Sequence, residues 1–304
     1  MENPSIFVNP KSGSFKISGN IDVVDVDGNV VVVRENPKLC GCGLSKDKPW
    51  CDSSHGQYVE IFANHLRNAR ALVKAAALFG VSPVRAREIR ENELQHRIQA
   101  GEKLIGVKIG GARESMDKPG RNYRNFFGYL TDAMQLTDAL DLKRFISPKV
   151  EAEVVFKLSR ELSQEIQLSE VLDYVSHVGA GMEILDYRFG EVECFAEDAI
   201  ADNAGAAAFA FSPWVNSSNV ELETLRAQLF VNNQLSTSAP LTHIQGNPWM
   251  AIIGLSKVLA ETGLSLPAGS IIFSGSATVG LAIIAGNSYC VEIEGLGRVE
   301  LQAN

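Results

Sequence analysis

The segment LCGCGLSKDKPWCDSSH, residues 39–55, holds three of the chain's five cysteines and ends on a histidine. Cys40 and Cys42 are separated by one residue, and the glycines on either side of Cys42 let the backbone turn sharply enough for both thiols to bind one metal. Cys51 and His55 are four residues apart, which suits one face of a short helical turn. The spacing therefore predicts a segment folded around a metal.

Three interpretations of this cluster are open. Buried free cysteines are disfavoured, because such residues do not usually gather among lysines, aspartates and serines. A structural zinc site with three cysteines and one histidine is chemically possible, although Cys-x-Cys is less usual there than Cys-x2-Cys. The third interpretation follows from a resemblance to a known family; clustered thiols in a reducing compartment more often bind metal than pair as disulfides.

The spacing of the cluster resembles that of a known family. The pattern of the CDGSH iron–sulfur proteins is found here as Cys40-x-Cys42-x2-Ser45-x3-Pro49-x-Cys51-Asp52-x-x-His55. The resemblance implies a [2Fe–2S] cluster held by the three cysteines and His55, and histidine ligation raises a cluster's reduction potential and makes it proton-sensitive. One position departs from the family, because Ser53 replaces its glycine.

Length and charge limit the rest of the chain. Its 304 residues suggest about two domains. A net charge of −8 argues against general binding to nucleic acid or to anionic membranes. No apolar stretch approaches membrane-spanning length, and the opening MENPSIFVNPKSG lacks the features of a secretory signal. We expect a cytoplasmic protein with no nucleic-acid or membrane partner.

Periodicity divides the chain into three parts. Asp27-Gly28 between two β-branched runs predicts a hairpin, Ser82-Pro83 predicts the start of a helix that runs to about Ala100, and short glycine-punctuated strands dominate from about residue 104. Two further helices are predicted over 169–178 and 248–262. These patterns indicate an α+β fold with three regions, residues 1–57, 58–103 and 104–304.

Paired carboxylates mark the third region. Glu151 and Glu153 are two apart in the strand-like VEAEVVFKL, so both point to one face, opposite an apolar face. Their mutual repulsion leaves two alternatives, a solvated face or a site for a hard metal. Glu183, in a second strand of similar character, completes a set of three carboxylates that suits Mg²⁺ or Mn²⁺.

Lys108 is the candidate proton carrier. It lies in GVKIGGAR between apolar residues and glycines, where partial desolvation would lower its pKa. The alternative from the sequence alone is a surface lysine between loops.

Residues 84–302 resemble the 2-keto-4-pentenoate hydratase and 4-oxalocrotonate decarboxylase branch of the fumarylacetoacetate hydrolase superfamily. The stretches that carry the resemblance are GVKIGG, FGYLTDAM, VEAEVVFKLSREL, MEILDYRF, IADNAGAAAF, GNPWMAIIGLSKVLAETGLSLPAGSIIFSGSA and GLGRVEL. The resemblance implies a mixed β-roll core with flanking helices. It also implies a divalent metal on the three glutamates that chelates a 2-oxo acid, with Lys108 near the reacting carbons.

Some positions depart from that family or have weaker support. Phe126 replaces the acidic residue of the family's P-D-[YF]-G motif. Arg113 is a candidate contact for an anionic substrate group, and the resemblance places Asp202, Asn203 and Ser276 in segments that line the pocket. It suggests that Arg188 orients the glutamates rather than reacting itself.

The leading hypothesis is a metal-dependent lyase, a hydratase or decarboxylase that acts on a 2-oxo acid through an enolate. A C–C hydrolase of acylpyruvates and a 2-oxo acid tautomerase are the enzymatic alternatives. The third alternative is a non-catalytic redox or cluster-transfer protein. The resemblance also implies a homo-oligomer, and the cluster implies a redox partner.

Overall fold

The computed structural model describes residues 5–8, 15–18, 20–24, 30–35, 38–39, 50, 82–110, 126–186 and 196–304. Its first strands are β1 (Ser5–Val8), β2 (Phe15–Ser18), β3 (Asn20–Val24), β4 (Val30–Glu35) and β5 (Lys38–Leu39).

The predicted hairpin pairing is confirmed in this N-terminal part. Strands β3 and β4 run antiparallel, with Asn20 opposite Glu35. The turn itself, with Asp27 and Gly28, lies outside the described residues. Strands β1, β2 and β5 form a separate three-stranded sheet.

The C-terminal part contains most of the regular structure. Its helices are α1 (Pro83–Gln99), α2 (Val171–Tyr174), α3 (Ala196–Ala201) and α4 (Met250–Thr262). Its strands are β6 (Leu104–Gly110), β7 (Phe126–Thr131), β8 (Ala139–Leu140), β9 (Pro148–Leu158), β10 (Val175–Asp186), β11 (Ala206–Phe211), β12 (Val215–Asn216), β13 (Arg226–Val231), β14 (Gln234–Pro240), β15 (Ile271–Phe273), β16 (Leu281–Ala282), β17 (Ser288–Ile293) and β18 (Gly297–Ala303).

Two sheets organise these strands. The larger has the order β11-β10-β9-β15-β6-β7, with β12 beside β10 and β16 beside β9; the smaller has the order β14-β13-β17-β18-β8. Most pairs are antiparallel, but β15 and β6 are parallel. The predicted α+β class is therefore confirmed, with a mixed sheet at its centre.

One apolar core joins the two sheets. Alternate residues of β9, from Val150 to Phe156, are fully buried in the same cluster as Leu229 and Val291 of the smaller sheet. Burying a side chain of this size contributes roughly 1.5–3 kcal/mol to stability. Because β9 places every second residue in this core, the residues between them lie on the other face of the larger sheet.

Helix α1 begins and ends as predicted. The Ser82 side chain accepts a hydrogen bond from the Arg85 N–H, and Pro83 occupies the first helical position. Buried Arg90 joins the helix to β7, since its Nη1 donates to the Phe127 carbonyl at 2.7 Å and its guanidinium lies 4.1 Å from the Phe127 ring centroid.

The helix predicted over 169–178 is wrong in extent. A 3₁₀ turn covers Leu168–Glu170, α2 covers only Val171–Tyr174, and β10 begins at Val175. The reason is strand pairing, because Val175 and Val178 lie opposite Leu158 and Phe156 of β9. The helix predicted over 248–262 is confirmed as α4, which ends at the left-handed Gly263. In the described part of the chain, every helix is too short or too polar to cross a membrane.

The close pairing of β6 and β15 generates a stability prediction. A Cβ added at Gly106 would lie 1.9 Å from the Ile271 carbonyl oxygen, which belongs to the backbone of the paired strand and cannot move aside. We expect Gly106→Ala to lower the free energy of unfolding by about 1–3 kcal/mol, as overpacking does. Urea denaturation with a constant m-value measures this.

Gly179→Ala is the matched control for this prediction. It lies in β10 of the same sheet, and its added Cβ would lie 3.1 Å from the Ser212 hydroxyl, a much less severe overlap than the one at Gly106. Equal destabilisation by the two variants would contradict the assigned cause.

Candidate active site

Four charged side chains meet on the face of the larger sheet that is turned away from the main core. Glu151 and Glu153 lie two apart on β9, and Glu183 of β10 lies directly opposite Glu151. Lys108 comes from β6. Glu151 and Glu153 share this face because strand residues two apart project to the same side.

The distances within this group are short. One oxygen from each of Glu151, Glu153 and Glu183 can be chosen so that all three lie within 4.8 Å of one another. The Lys108 Nζ is 2.9 Å from the Glu183 Oε1. The backbone N–H of Gly275 donates to the Glu153 Oε2 at 2.9 Å.

Negative charge in this group exceeds positive charge. Three ionised carboxylates and one ammonium leave a deficit of positive charge, and Lys108, Glu153 and Glu183 are all buried while Glu151 is half-buried. Among the described residues, the Glu153 Oε1 and Glu183 Oε2 accept no hydrogen bond. Buried carboxylate oxygens without donors are suited to a hard divalent cation, which takes oxygen ligands.

The carboxylates affect each other's protonation. Burial, and then the charge of Glu183, raise the pKa of Glu153 well above its ordinary value, against the opposing effect of Lys108. Without a cation, the group therefore tends to retain a proton on Glu153.

The expected lowering of the Lys108 pKa is wrong for this arrangement. Burial does lower the pKa, but the negative charges of Glu183, Glu153 and Glu151 outweigh it, and the pKa of Lys108 is raised above its ordinary value. The sequence shows that the lysine has apolar neighbours, but it does not show that Glu183 lies 2.9 Å from the amine. Lys108 is therefore an ammonium at neutral pH, with a proton to donate.

An irregular connection, which we call the 274–280 bulge, covers the glutamates. Phe273 pairs with Val155, and Leu281 pairs with Val150. Leu281 comes eight residues after Phe273, whereas Val150 comes only five residues before Val155. The bulge therefore contains three more residues than the part of β9 that it spans. Both ends touch the site: Gly275 donates to Glu153, and a Cβ added at Gly280 would lie 2.9 Å from the Glu151 Oε1. Ser276 lies within the bulge, and its hydroxyl donates to the Thr278 carbonyl at 2.7 Å.

A left-handed turn packs against β7 beside Lys108. Asn203 and Ala204 have φ of 54° and 55°, values that cost free energy for residues other than glycine. The Asn203 side chain holds this turn, because its oxygen accepts from the Tyr129 N–H at 2.7 Å and its amide donates to the Tyr129 carbonyl at 3.0 Å. Asp202, which precedes this turn, is buried.

Phe126 lies on the Lys108 side of β7. It pairs with Gly110, two residues beyond Lys108 on β6, and a Cβ added at Gly110 would lie 2.4 Å from the Phe126 ring. The aromatic ring therefore needs the glycine opposite it, and this end of the site carries an apolar surface.

Six other predicted site residues lie outside the described residues. They are Cys40, Cys42, Cys51, His55, Arg113 and Arg188.

Sequence reasoning missed the Gly275 N–H, and it named Asn203 as a pocket residue without its bridge to the Tyr129 backbone. Both depend on local backbone geometry, and the only sequence signal was the presence of residue types that tolerate it.

Comparisons with known proteins match this chain to two kinds of protein. The family described as "iron-binding zinc finger CDGSH type" matches residues 12–56. A 4-oxalocrotonate decarboxylase of Pseudomonas sp. is 31% identical over 220 residues, which cover 70% of this chain and 84% of the relative. A 2-hydroxyhexa-2,4-dienoate hydratase of Comamonas testosteroni is 30% identical over 215 residues, covering 69% of this chain and 81% of the relative.

A solved structure supports the fold. The 4-oxalocrotonate decarboxylase from Pseudomonas putida G7, complexed with magnesium and adipate, has a TM-score of 0.76 and 24% identity, and the match covers 81% of this chain and 95% of that one.

The charge balance of the site generates a prediction for the metal-free protein. Glu153→Gln removes a buried charge, and its amide can donate to Glu183, so we expect the free energy of unfolding at pH 8 to rise by about 1–2 kcal/mol. Because the folded pKa of wild-type Glu153 is raised, the folded state binds more protons than the unfolded state. Wild-type stability should therefore fall as the pH rises from the ordinary glutamate pKa to the raised value.

Urea unfolding in chelator between pH 5 and 8.5 tests both parts. Glu153→Gln should flatten the pH dependence, whereas the control Glu221→Gln, at an exposed position, should keep the wild-type profile. A less stable Glu153→Gln variant across this range would contradict the charge-repulsion account.

Proposed function

Since the chain belongs to the 2-keto-4-pentenoate hydratase and 4-oxalocrotonate decarboxylase branch of the fumarylacetoacetate hydrolase superfamily, we propose that it is a divalent-metal-dependent lyase acting on a 2-oxo acid through an enolate. The observation that carries the proposal is the convergence of Lys108 with Glu151, Glu153 and Glu183 on one face of the larger sheet.

The three glutamates would hold Mg²⁺ or Mn²⁺. Their oxygens lie close enough to share one ion, and those of Glu153 and Glu183 without donors would gain a partner. When bound, the metal supplies Lewis-acid stabilisation of negative charge that develops on the substrate's 2-oxo group.

The protein's own side chains would transfer protons in a site where Lys108, Glu153 and Glu183 are buried. Lys108 is buried, and its ion pair with Glu183 fixes the position of the amine. From there the ammonium can donate a proton to a substrate carbon, and the neutral amine can take one back. Hydration of a vinyl group, decarboxylation and keto–enol isomerisation all require such a transfer next to a stabilised enolate.

Further residues are proposed around the reacting group. Asp202 and Ser276 are proposed to contact the substrate; both are buried, Asp202 beside the left-handed turn and Ser276 within the 274–280 bulge. Arg113 is proposed to contact an anionic group of the substrate, and Arg188 to orient the glutamates.

We also propose that residues 1–57 form an iron–sulfur domain, followed by a connecting region over 58–103 and the lyase domain over 104–304. The ligands would be Cys40, Cys42, Cys51 and His55, a donor set of three thiolates and one imidazole that suits a [2Fe–2S] cluster. Lyase chemistry needs no electrons, so we infer a structural, assembly or redox-sensing role for the cluster.

The proposal also covers the location, the oligomeric state and the partners of the protein. We place it in the cytoplasm as a homo-oligomer, with a 2-oxo acid as its small-molecule substrate and a redox partner for the cluster.

The position of Phe126 favours a second candidate, a 2-oxo acid tautomerase. An aromatic ring beside Gly110 cannot activate water, whereas tautomerisation needs only proton transfer. C–C hydrolysis of acylpyruvates is less favoured for the same reason. A non-catalytic redox or cluster-transfer protein is the outcome if the site exchanges no substrate protons.

Metal removal and Lys108 replacement test the enzymatic proposal. We expect chelator to abolish, and Mg²⁺ or Mn²⁺ to restore, deuterium exchange at C3 of a simple 2-oxo acid followed by NMR. Lys108→Ala should slow this exchange by about 10²–10⁴-fold, the usual contribution of a general acid–base group.

Lys143→Ala, at an exposed position, is the control and should exchange at the wild-type rate. Assays with vinylpyruvate-like and oxalocrotonate-like acids then separate hydration and decarboxylation from tautomerisation. Rapid exchange in the metal-free enzyme would refute the metal-dependent mechanism.

The cluster is tested by spectroscopy on the anaerobically purified full chain. We expect visible charge-transfer absorption and about two iron atoms per chain, and His55→Cys should retain the cluster but lower its reduction potential. The control Cys290→Ala alters a buried cysteine on β17 and should leave the spectrum unchanged. Zinc in place of iron, or an unchanged potential in His55→Cys, would contradict the assignment.

A further inference from the structure

Thr278 occupies the middle of the 274–280 bulge. The bulge touches the glutamates on both sides of this residue, through Gly275 at Glu153 and Gly280 at Glu151. Thr278 is 2% exposed, whereas Val279 is 47% exposed. The bulge therefore presents Val279 to solvent and buries Thr278, three residues after the contact with Glu153 and two before the contact with Glu151.

The Thr278 hydroxyl is enclosed and lacks a partner. Among the described residues, no donor or acceptor forms a hydrogen bond with its Oγ1. Its carbonyl is occupied, because it accepts the Ser276 hydroxyl at 2.7 Å. A buried hydroxyl without a partner costs free energy, and such groups in native proteins call for a specific explanation.

The chemistry of the site indicates what the missing partner is. Glu153 already takes the Gly275 N–H at its Oε2, and Glu183 takes Lys108. A threonine hydroxyl can donate to an acceptor that enters the site, and a 2-oxo acid brings anionic carboxylate oxygens to these glutamates with its metal. A hydrogen bond to such an oxygen is charge-assisted and therefore strong.

We propose that Thr278 is a substrate-binding residue whose hydroxyl donates a hydrogen bond to the carboxylate of the 2-oxo acid. This inference rests on the proposed function, because it requires the acid to bind at Glu151, Glu153 and Glu183. The bulge then has two roles: its Gly275 N–H orients a glutamate, and its Thr278 hydroxyl orients the substrate.

Oxalate binding tests the proposal without turnover. Oxalate has two adjacent carboxylates and chelates a metal as a 2-oxo acid does, but it has no carbon that can be protonated. Calorimetry would measure the Kd of Mn²⁺ alone, and then of oxalate at saturating Mn²⁺. The proteins are the full-length wild type, Thr278→Val, Thr278→Ser and the distant control Thr262→Val, which alters a hydroxyl in the last turn of α4.

We expect Thr278→Val to weaken oxalate binding by about 10- to 100-fold, as loss of a hydrogen bond to a charged group does. Thr278→Ser and Thr262→Val should bind oxalate within about 3-fold of the wild type, and the Mn²⁺ affinity should be the same in all four proteins. Circular dichroism melting identifies any unfolded variant, and Thr278→Ser separates the effect of losing the hydroxyl from that of losing the methyl group.

Three results would overturn the inference: unchanged oxalate affinity in Thr278→Val, equal weakening in Thr278→Ser, or a parallel loss of Mn²⁺ affinity. Failure of the proposed function gives a different pattern. A wild type that binds Mn²⁺ and oxalate but processes no 2-oxo acid is not a lyase, and the same titrations still decide the role of Thr278. If oxalate does not bind the Mn²⁺-loaded wild type, both proposals are overturned.

Discussion

The rest of the site depends on the burial of two carboxylates. The side chains of Glu153 and Glu183 have no contact with solvent. Charge in a low-dielectric interior has to be neutralised or hydrogen-bonded. The protein meets this requirement in part, with the Lys108 ammonium and the Gly275 N–H, and leaves two oxygens without donors in the described part of the chain. The incomplete compensation, which lowers the stability of the fold, is the feature that the proposed function uses, because a bound cation would neutralise the remaining charge.

Much of the fold follows from residue periodicity. Alternation along β9 separates an apolar face from an acidic one, and the two faces contact different parts of the protein. The signals at Ser82 and Pro83 likewise define α1 correctly, because capping and proline geometry are local effects. The helix predicted over 169–178 fails because non-local pairing with β9 overrides a local helical pattern.

The site was predictable where it lies on regular strands. Glu151 and Glu153 could be paired from the sequence, since strand spacing fixes which side chains share a face, whereas Lys108 was selected through the family resemblance. Their protonation could not be predicted, because the raised pKa of Lys108 depends on carboxylates contributed by β9 and β10. Gly275, Asn203 and Thr278 were beyond periodic reasoning as well, since a bulge and a left-handed turn position them.

The excess residues of the 274–280 bulge allow part of this segment to change during evolution while the acidic face of β9 stays the same. The ladder bonds before and after the bulge fix the register of β9, and with it the glutamates. Within the bulge, the N–H groups of Ser274 and Ala277 still donate to the Val154 and Ala152 carbonyls of β9, so only the residues between these contacts can vary while the acidic face stays in place. Under the proposed function, altering a few residues here would change substrate preference without rebuilding the acidic face, which makes this segment the natural target for redesigning specificity.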